Sequence, residues 1–153
     1  MSRFNLPVLV HLSTLGDVEG VQRVLAMDEG VDVNSQDDEG NTGLMAAIML
    51  KEFSLPTAPV FAPVFGPNRK WKVSMKQKFK IAKFLLQQPG MDINCVNNDG
   101  NTALHVCAAY GNIEGLRILL GHPGRNINAK NSRGLTPLMM AVCYGNEEFA
   151  KEF

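Results

Sequence analysis

The residue types that could carry chemistry are few, and their spacing does not favour catalysis. His105 and Cys107 are two positions apart on a predicted helix, so they point about 200° apart and cannot easily share a metal ion. No serine lies in a G-x-S-x-G sequence, and the chain has no phosphate-binding loop of the G-x-x-x-x-G-K-S/T type. Cys107 and Cys143 are predicted to be small buried residues. The sequence therefore predicts no metal site, no cofactor and no catalytic residues.

The composition is that of a packed protein. Of its 153 residues, 45% are hydrophobic and 20% are charged, and the formal net charge is zero, which disfavours a globally basic nucleic-acid binder. No apolar run approaches the roughly 18 residues that a membrane-spanning helix needs. Three cysteines without a spacing pattern argue against a disulfide framework. We therefore expect an intracellular protein, cytoplasmic or nuclear.

An internal repeat organises the elements that position these residues. The string NNDGNTALHVCAAYGN from Asn97 recurs as KNSRGLTPLMMAVCYGN from Lys130, and Gly100 falls on Gly134, a period of 34 residues. A third copy, DDEGNTGLMAAIML, begins at Asp37. A period in this range is typical of a solenoid of stacked units.

Each copy predicts two helices joined by a turn. Thr102 is placed to cap a first helix, and Thr42 and Thr136 recur at the same position. Gly111 fits the left-handed end of that helix. A second helix is predicted over Ile113–Leu120, with its apolar residues on one face.

These motifs resemble the ankyrin repeat family. Thr-Pro-Leu-Met at 136–139 and Thr-Ala-Leu-His at 102–105 are similar to the family's T-P-L-H signature. The resemblance covers residues 5–50 and 76–153, and it implies an all-α, ankyrin-like α-solenoid of helix-turn-helix repeats joined by β-hairpin-like turns. Because methionine replaces the signature histidine at Met45 and Met139, a hydroxyl–imidazole contact is expected only between Thr102 and His105.

The resemblance divides the chain into about four repeats within one domain, 1–153. They are predicted at 5–34, 37–94 with an insertion at 51–76, 97–128, and a partial repeat at 131–153. The last unit is expected to leave Met140, Phe149 and Phe153 partly uncovered, because a repeat buries its apolar side against its neighbour. We therefore expect this chain to be a fragment or truncated isoform of a longer array. We expect it to be a monomer or part of that array.

The insertion carries most of the positive charge. Residues 51–90 have eight basic and one acidic side chain, and seven of the fifteen basic residues lie between Arg69 and Lys83. Alternating apolar residues and lysines from Lys70 to Ile81 favour an extended stretch, but the repeat register predicts helix from about Lys78, and we follow the register there. Either the segment is an exposed loop that docks an acidic partner, RNA or anionic lipid, or its aromatic residues fold back while the lysines face water. We favour the second alternative.

Function follows from the resemblance. Ankyrin-like repeats imply a non-catalytic module that binds another protein through a concave groove of turn tips and first helices. Carried over to this sequence, the residues predicted to bind the partner are Asp38, Glu39, Asn41, Asn98, Asp99, Asn101, Tyr110, Lys130, Ser132, Arg133, Leu135 and Tyr144. The identity of the partner stays open.

Two further sites are predicted. The alternative function is binding of nucleic acid or an anionic surface through residues 69–83, with Arg69, Lys70, Trp71 and Lys72 as a second surface. Asn34, Asn94 and Asn128 occupy positions at which an asparaginyl hydroxylase modifies ankyrin-like repeats. Asn94 is the best candidate, because Leu86, Asp92 and Ile93 precede it.

Overall fold

The structure is a computed structural model, and it describes residues 8–27, 30–49 and 75–153. Eight α-helices lie in these ranges. Their bounds are α1 Val8–Leu15, α2 Val18–Met27, α3 Gly43–Ile48, α4 Met75–Leu86, α5 Ala103–Tyr110, α6 Ile113–Leu120, α7 Pro137–Cys143 and α8 Glu147–Glu152.

The helices stack in two layers. The first helices α1, α3, α5 and α7 pack against one another in chain order, and the second helices α2, α4, α6 and α8 do the same. Each first helix also packs against the second helix of its own unit. Within the described ranges the connecting arms form no strand, only an isolated antiparallel bridge between Gln36 and Thr42. The predicted all-α solenoid is confirmed, and no described helix is long and apolar enough to cross a membrane.

Threonine caps start the first helices where the sequence places them. The hydroxyl oxygens of Thr42 and Thr136 accept hydrogen bonds from the backbone N–H groups of Met45 and Met139 at 3.3 Å. These bonds satisfy donors that the first turn of a helix leaves unpaired. At the other end of α5, Gly111 has φ of 64°, a left-handed conformation that a Cβ would penalise.

The core lies between the two layers of helices. The predicted stripe of α5 is buried, with Leu104 3% exposed and Cys107 and Ala108 fully covered. Leu116 and Leu119 of α6 meet it from the second layer. Each unit therefore shares its apolar core with the neighbouring units.

Helix α4 begins earlier than the sequence predicts. It starts at Met75, three residues before Lys78 and inside the predicted insertion 51–76, so the extended conformation predicted before Lys78 is wrong for residues 75–77, whereas the helix that the repeat register predicts from about Lys78 is present. The helical spacing of Lys78, Ile81, Ala82 and Leu85 puts these four side chains on the buried face. Packing of this face against α3 outweighs the alternating pattern.

The Lys78 side chain hydrogen-bonds to the end of α3, on the other side of the insertion in sequence. Applying the period of 34 residues, Lys78 falls on Asn112, and both side chains donate to a carbonyl at the end of α3. Lys78 Nζ donates to the Met49 carbonyl at 2.6 Å, and Asn112 Nδ2 donates to that of Ile48 at 2.9 Å. The expectation that the lysines here face water is wrong for Lys78, which is 3% exposed.

This burial predicts an unusual pH dependence. Burial lowers the pKa of Lys78 from 10.5 to about 8, so between these values the unfolded chain holds a proton that the folded chain does not. The free energy of unfolding should therefore rise with pH from about 8 to 10.5, by at most about 1.4 kcal/mol per pH unit. Lys78→Met is the control, and urea unfolding of both proteins across this range measures the difference. Equal pH slopes would contradict the lowered pKa of Lys78.

The last unit covers its large side chains better than the sequence predicts. Met140 is 2% and Phe149 1% exposed, so the expectation that both are partly uncovered is wrong, whereas Phe153 is half-buried. The side chains of Met140 and Phe149 belong to the core shared with the preceding unit. The outer face of α7 is exposed instead, through Leu138, Met139 and Val142.

Candidate functional site

The turn tips are built by one polar side chain in each unit. Asp37, Asn97 and Asn131 each accept two backbone N–H groups with their Oδ1 atom, from residues two and four positions later, at 2.8 to 3.0 Å. Such side-chain contacts stabilise a tight turn without regular secondary structure. The two residues that follow each of these side chains, 38–39, 98–99 and 132–133, are exposed at the tip of each turn.

The tips are then stacked on one another by hydrogen bonds. The backbone N–H of Asn98 donates to the carbonyl of Glu39, and that of Ser132 donates to the carbonyl of Asp99, both at 3.0 Å. Beneath them, Asn97 Nδ2 donates to Asn41 Oδ1 at 3.2 Å. The spacing of the tips is therefore fixed by the backbone.

His105 connects the start of α5 to the next tip. Its Nδ1 accepts the backbone N–H of Thr102 at 3.1 Å and lies 2.9 Å from the Thr102 hydroxyl oxygen, which confirms the predicted hydroxyl–imidazole contact. Its Nε2 lies 2.8 Å from the carbonyl of Leu135. An acceptor role for Nδ1 and a donor role for Nε2 require a neutral ring with the proton on Nε2.

The neutral ring makes the array sensitive to acid. Burial lowers the pKa of His105 below 6.5, although the carbonyls of Leu135 and Ala129 oppose the shift. Its contribution to stability is therefore present above about pH 6.5 and is lost as the pH falls below it. The His105→Met variant copies Met139, the residue at this position in the last unit. We expect its free energy of unfolding to fall less than that of the wild type between pH 7 and 5, and identical losses would contradict this role.

A concave groove lies between the tips and the first helices. It encloses about 420 Å³. Its floor comes from Val106 and Tyr110 of α5, from Met140 of α7 and Tyr144 just after it, and from Met49 just after α3. The groove is thus lined both by side chains on or next to the first helices and by the charged residues of the turn tips.

The structure brings nine of the twelve predicted binding residues around this groove. These nine are Asp38, Glu39, Asn41, Asn98, Asp99, Asn101, Tyr110, Arg133 and Tyr144. The other three are not part of its lining. Lys130 lies exposed just before the third tip and Ser132 lies exposed within it, and Leu135 is half-buried, with its carbonyl against His105.

The apolar floor of the groove was missed by the sequence prediction. Met49, Val106, Ala109 and Met140 line it together with the polar Asn97. The repeat carried a signal for this, because Met49 aligns with Ala109 and Val106 with Met140 in the same register that aligns the tips. The prediction considered the tips and the helix ends but left out the intervening turn of each first helix.

The charges of the groove are mostly unpaired within the described ranges. The side chains of Asp38, Asp99 and Arg133 make no hydrogen bond or ion pair to any described residue, and Glu39 Oε2 accepts only the amide of Asn41, at 3.2 Å. The ion pairs among described residues join Arg117 to Glu114 and Glu152, on the second helices. Within the part of the chain that the structure describes, the three carboxylates and one guanidinium of the groove are therefore engaged only through the Glu39–Asn41 hydrogen bond.

The basic second surface falls largely outside the described residues. Arg69, Lys70, Trp71 and Lys72 all lie there. The described part of this basic segment begins with α4, on which Lys76, Lys80 and Lys83 are exposed and Lys78 is buried. The described part of the basic segment therefore presents three exposed lysines.

The cysteines are placed unequally. Burial raises the pKa of the Cys107 thiol well above 9.0, and this side chain is fully covered, as predicted. The prediction that Cys143 is buried is wrong, because it ends α7 on a side that no described element covers. The described residues contain no group of histidine, cysteine and carboxylate side chains that could hold a metal ion.

Asn94 ties two units together at the far end of the second helices. Its Nδ2 donates to the Gly124 carbonyl and its Oδ1 accepts the backbone N–H of Asn126, both at 2.9 Å. Asn34 makes the same pair of bonds to Gly90 and Asp92, at 2.8 Å. The side chain of Asn94 is thus part of the stacking, and its hydroxylation stays a prediction.

These features define a helical repeat solenoid, in which short units pack only on their neighbours. A family model described as "Ankyrin repeats (3 copies)" matches residues 71–153, more than half of the chain. The chain belongs to the ankyrin repeat family, as its motifs predict. A comparison with curated proteins found no match. Ankyrin repeats are generally protein–protein interaction modules, and the family is typically non-catalytic.

Proposed function

We propose that this chain binds a partner protein through the concave groove and catalyses no reaction. The observation that carries the proposal is the groove itself, which is lined by Tyr110 and Tyr144, by apolar side chains, and by charged tip residues of which Asp38, Asp99 and Arg133 have no side-chain partner among the described residues. Aromatic side chains next to charges that a partner can pair are typical of the residues that dominate protein interfaces. Tyr144 is 57% exposed, so it has surface to bury on binding.

A pull-down of the full chain followed by mass spectrometry tests this function. The groove variant combines Asp38→Ala, Asp99→Ala and Arg133→Ala, three exposed substitutions whose backbone contacts remain intact. The matched control combines Arg69→Glu, Lys70→Glu and Lys72→Glu in the basic segment. We expect the groove variant to lose the proteins that the wild type captures and the control to keep them. The reverse pattern would overturn the proposal.

The second candidate function is binding of nucleic acid or an anionic surface through residues 69–83. It is supported by the seven basic residues of this segment, which contains no acidic one, and by the three lysines exposed on α4. Contacts to phosphates release counterions, so binding to heparin or RNA should weaken steeply between 50 and 300 mM salt. Binding that does not change over this range would exclude the electrostatic mechanism.

A further inference from the structure

The two ends of the groove carry opposite charges. Asp38 and Glu39 lie on the first tip and Asp99 on the second, whereas Arg133 lies on the third. The hydrogen bonds that stack the tips hold these residues in this order along the groove. A ligand that follows the groove therefore meets carboxylates first and a guanidinium last.

This polarity is available to a ligand because the turns do not use these side chains. By contrast, the Asp37 carboxylate accepts the backbone N–H groups of Glu39 and Asn41, so it stabilises the turn itself. Asp38 and Asp99 have the same acidic chemistry but make no side-chain bond to a described residue, and both are exposed. Charge complementarity therefore selects cations at this end of the groove and disfavours phosphates.

The volume of the groove limits the size of the ligand that it can hold. The volume of about 420 Å³ lies within the range of roughly 300–1,000 Å³ typical of sites that enclose a small ligand or a few side chains. Met49 and Tyr110 belong to the two units with acidic tips, and Tyr144 belongs to the unit of Arg133. Aromatic rings and aliphatic stems can pack on such a floor while their charged ends reach the tips.

We infer that the groove takes a basic peptide segment of another protein, bound in one direction. Its lysine or arginine side chains lie against Asp38, Glu39 and Asp99, and a carboxylate of the same segment lies against Arg133. This inference rests on the proposed function and adds to it the chemistry and polarity of the partner.

A random peptide library displayed on phage tests the inference on the full chain. We expect the selected peptides to be enriched in lysine and arginine, with an acidic residue at one fixed end. The matched variant combines Asp38→Asn, Glu39→Gln and Asp99→Asn, which keeps the shape of the tips and removes their charge. A synthetic selected peptide should bind this variant about tenfold or more weakly, and Arg133→Glu should abolish the preference for the acidic residue. Circular dichroism checks that both variants stay helical.

The outcomes separate this inference from the proposed function. Selected peptides without an excess of basic residues, or binding that the charge-free variant retains, would overturn the basic-segment inference and leave groove binding intact, provided that Tyr144→Ala weakens it. Selection of no peptide, or of peptides insensitive to every groove variant, would overturn both. Basic peptides that lose affinity in the charge-free variant would support both.

Discussion

Replacing Leu104 with alanine should lower the free energy of unfolding by about 2–5 kcal/mol. Leu104 is 3% exposed and belongs to the core that α5 shares with its neighbours, so the shorter side chain leaves a cavity that the surrounding helices cannot fill completely. Because each unit is stabilised by its neighbours, the loss should also appear in the unfolding of the flanking units. Urea unfolding followed by circular dichroism measures it.

The repeat supplies a matched control for this variant. Leu138 has the same position in the last unit but is 41% exposed, so Leu138→Ala removes far less buried surface and should cost about 1 kcal/mol or less. A loss below about 1 kcal/mol for Leu104→Ala, or equal losses for both variants, would mean that α5 does not face a shared core.

After Leu104→Ala, we expect Gly100→Ala to lower the free energy of unfolding most, because it disturbs the stacking of the turns. Gly100 has φ of +72°, and an added Cβ would lie 2.7 Å from the backbone nitrogen of Ser132. The left-handed conformation costs an alanine about 1–2 kcal/mol. Displacing the hydrogen bond from the Ser132 N–H to the Asp99 carbonyl should add about 1–3 kcal/mol.

Gly134 separates the two contributions to this loss. It has φ of +75°, yet an added Cβ would meet nothing within 4 Å, so Gly134→Ala pays only the conformational cost. We expect Gly100→Ala to be the less stable of the two in urea unfolding, and to lose protection of the Ser132 amide in hydrogen exchange. Equal stabilities would show that close approach of the tips does not constrain this glycine.

Local signals in the sequence determined the repeats well. The threonine caps, the glycine after Tyr110 and the helix over Ile113–Leu120 all appear where the motif predicts them, because each depends on residues within one turn of chain. The tips of the groove were predictable for the same reason. Repetition strengthened these predictions, since three copies of a weak signal agree.

What the sequence left open depends on contacts between distant residues. Lys78 looks like a surface lysine until α3 lies beside it and offers the carbonyl of Met49. Cys143 and Ala109 share a position in the repeat, but only Ala109 is followed by another described unit. Burial in a solenoid is decided by the neighbouring unit, so identical positions in successive repeats differ in exposure.

Asparagine illustrates a second limit. Asn94 and Asn112 are in different parts of the unit, yet each bonds to backbone groups of an adjacent unit. Nothing in the local sequence distinguishes a turn asparagine from one that joins two units. Only the stacked structure shows that these amides stabilise the array in which the groove forms.

The most direct test of the account maps the bound partner by hydrogen exchange. The protein recovered in the pull-down is purified, and exchange is compared for the chain alone and in the complex. The account predicts added protection at the tips and the groove floor, in residues 38–41, 98–101, 106–110 and 132–144. Protection confined to residues 69–83, with the groove exchanging as in the free chain, would contradict it.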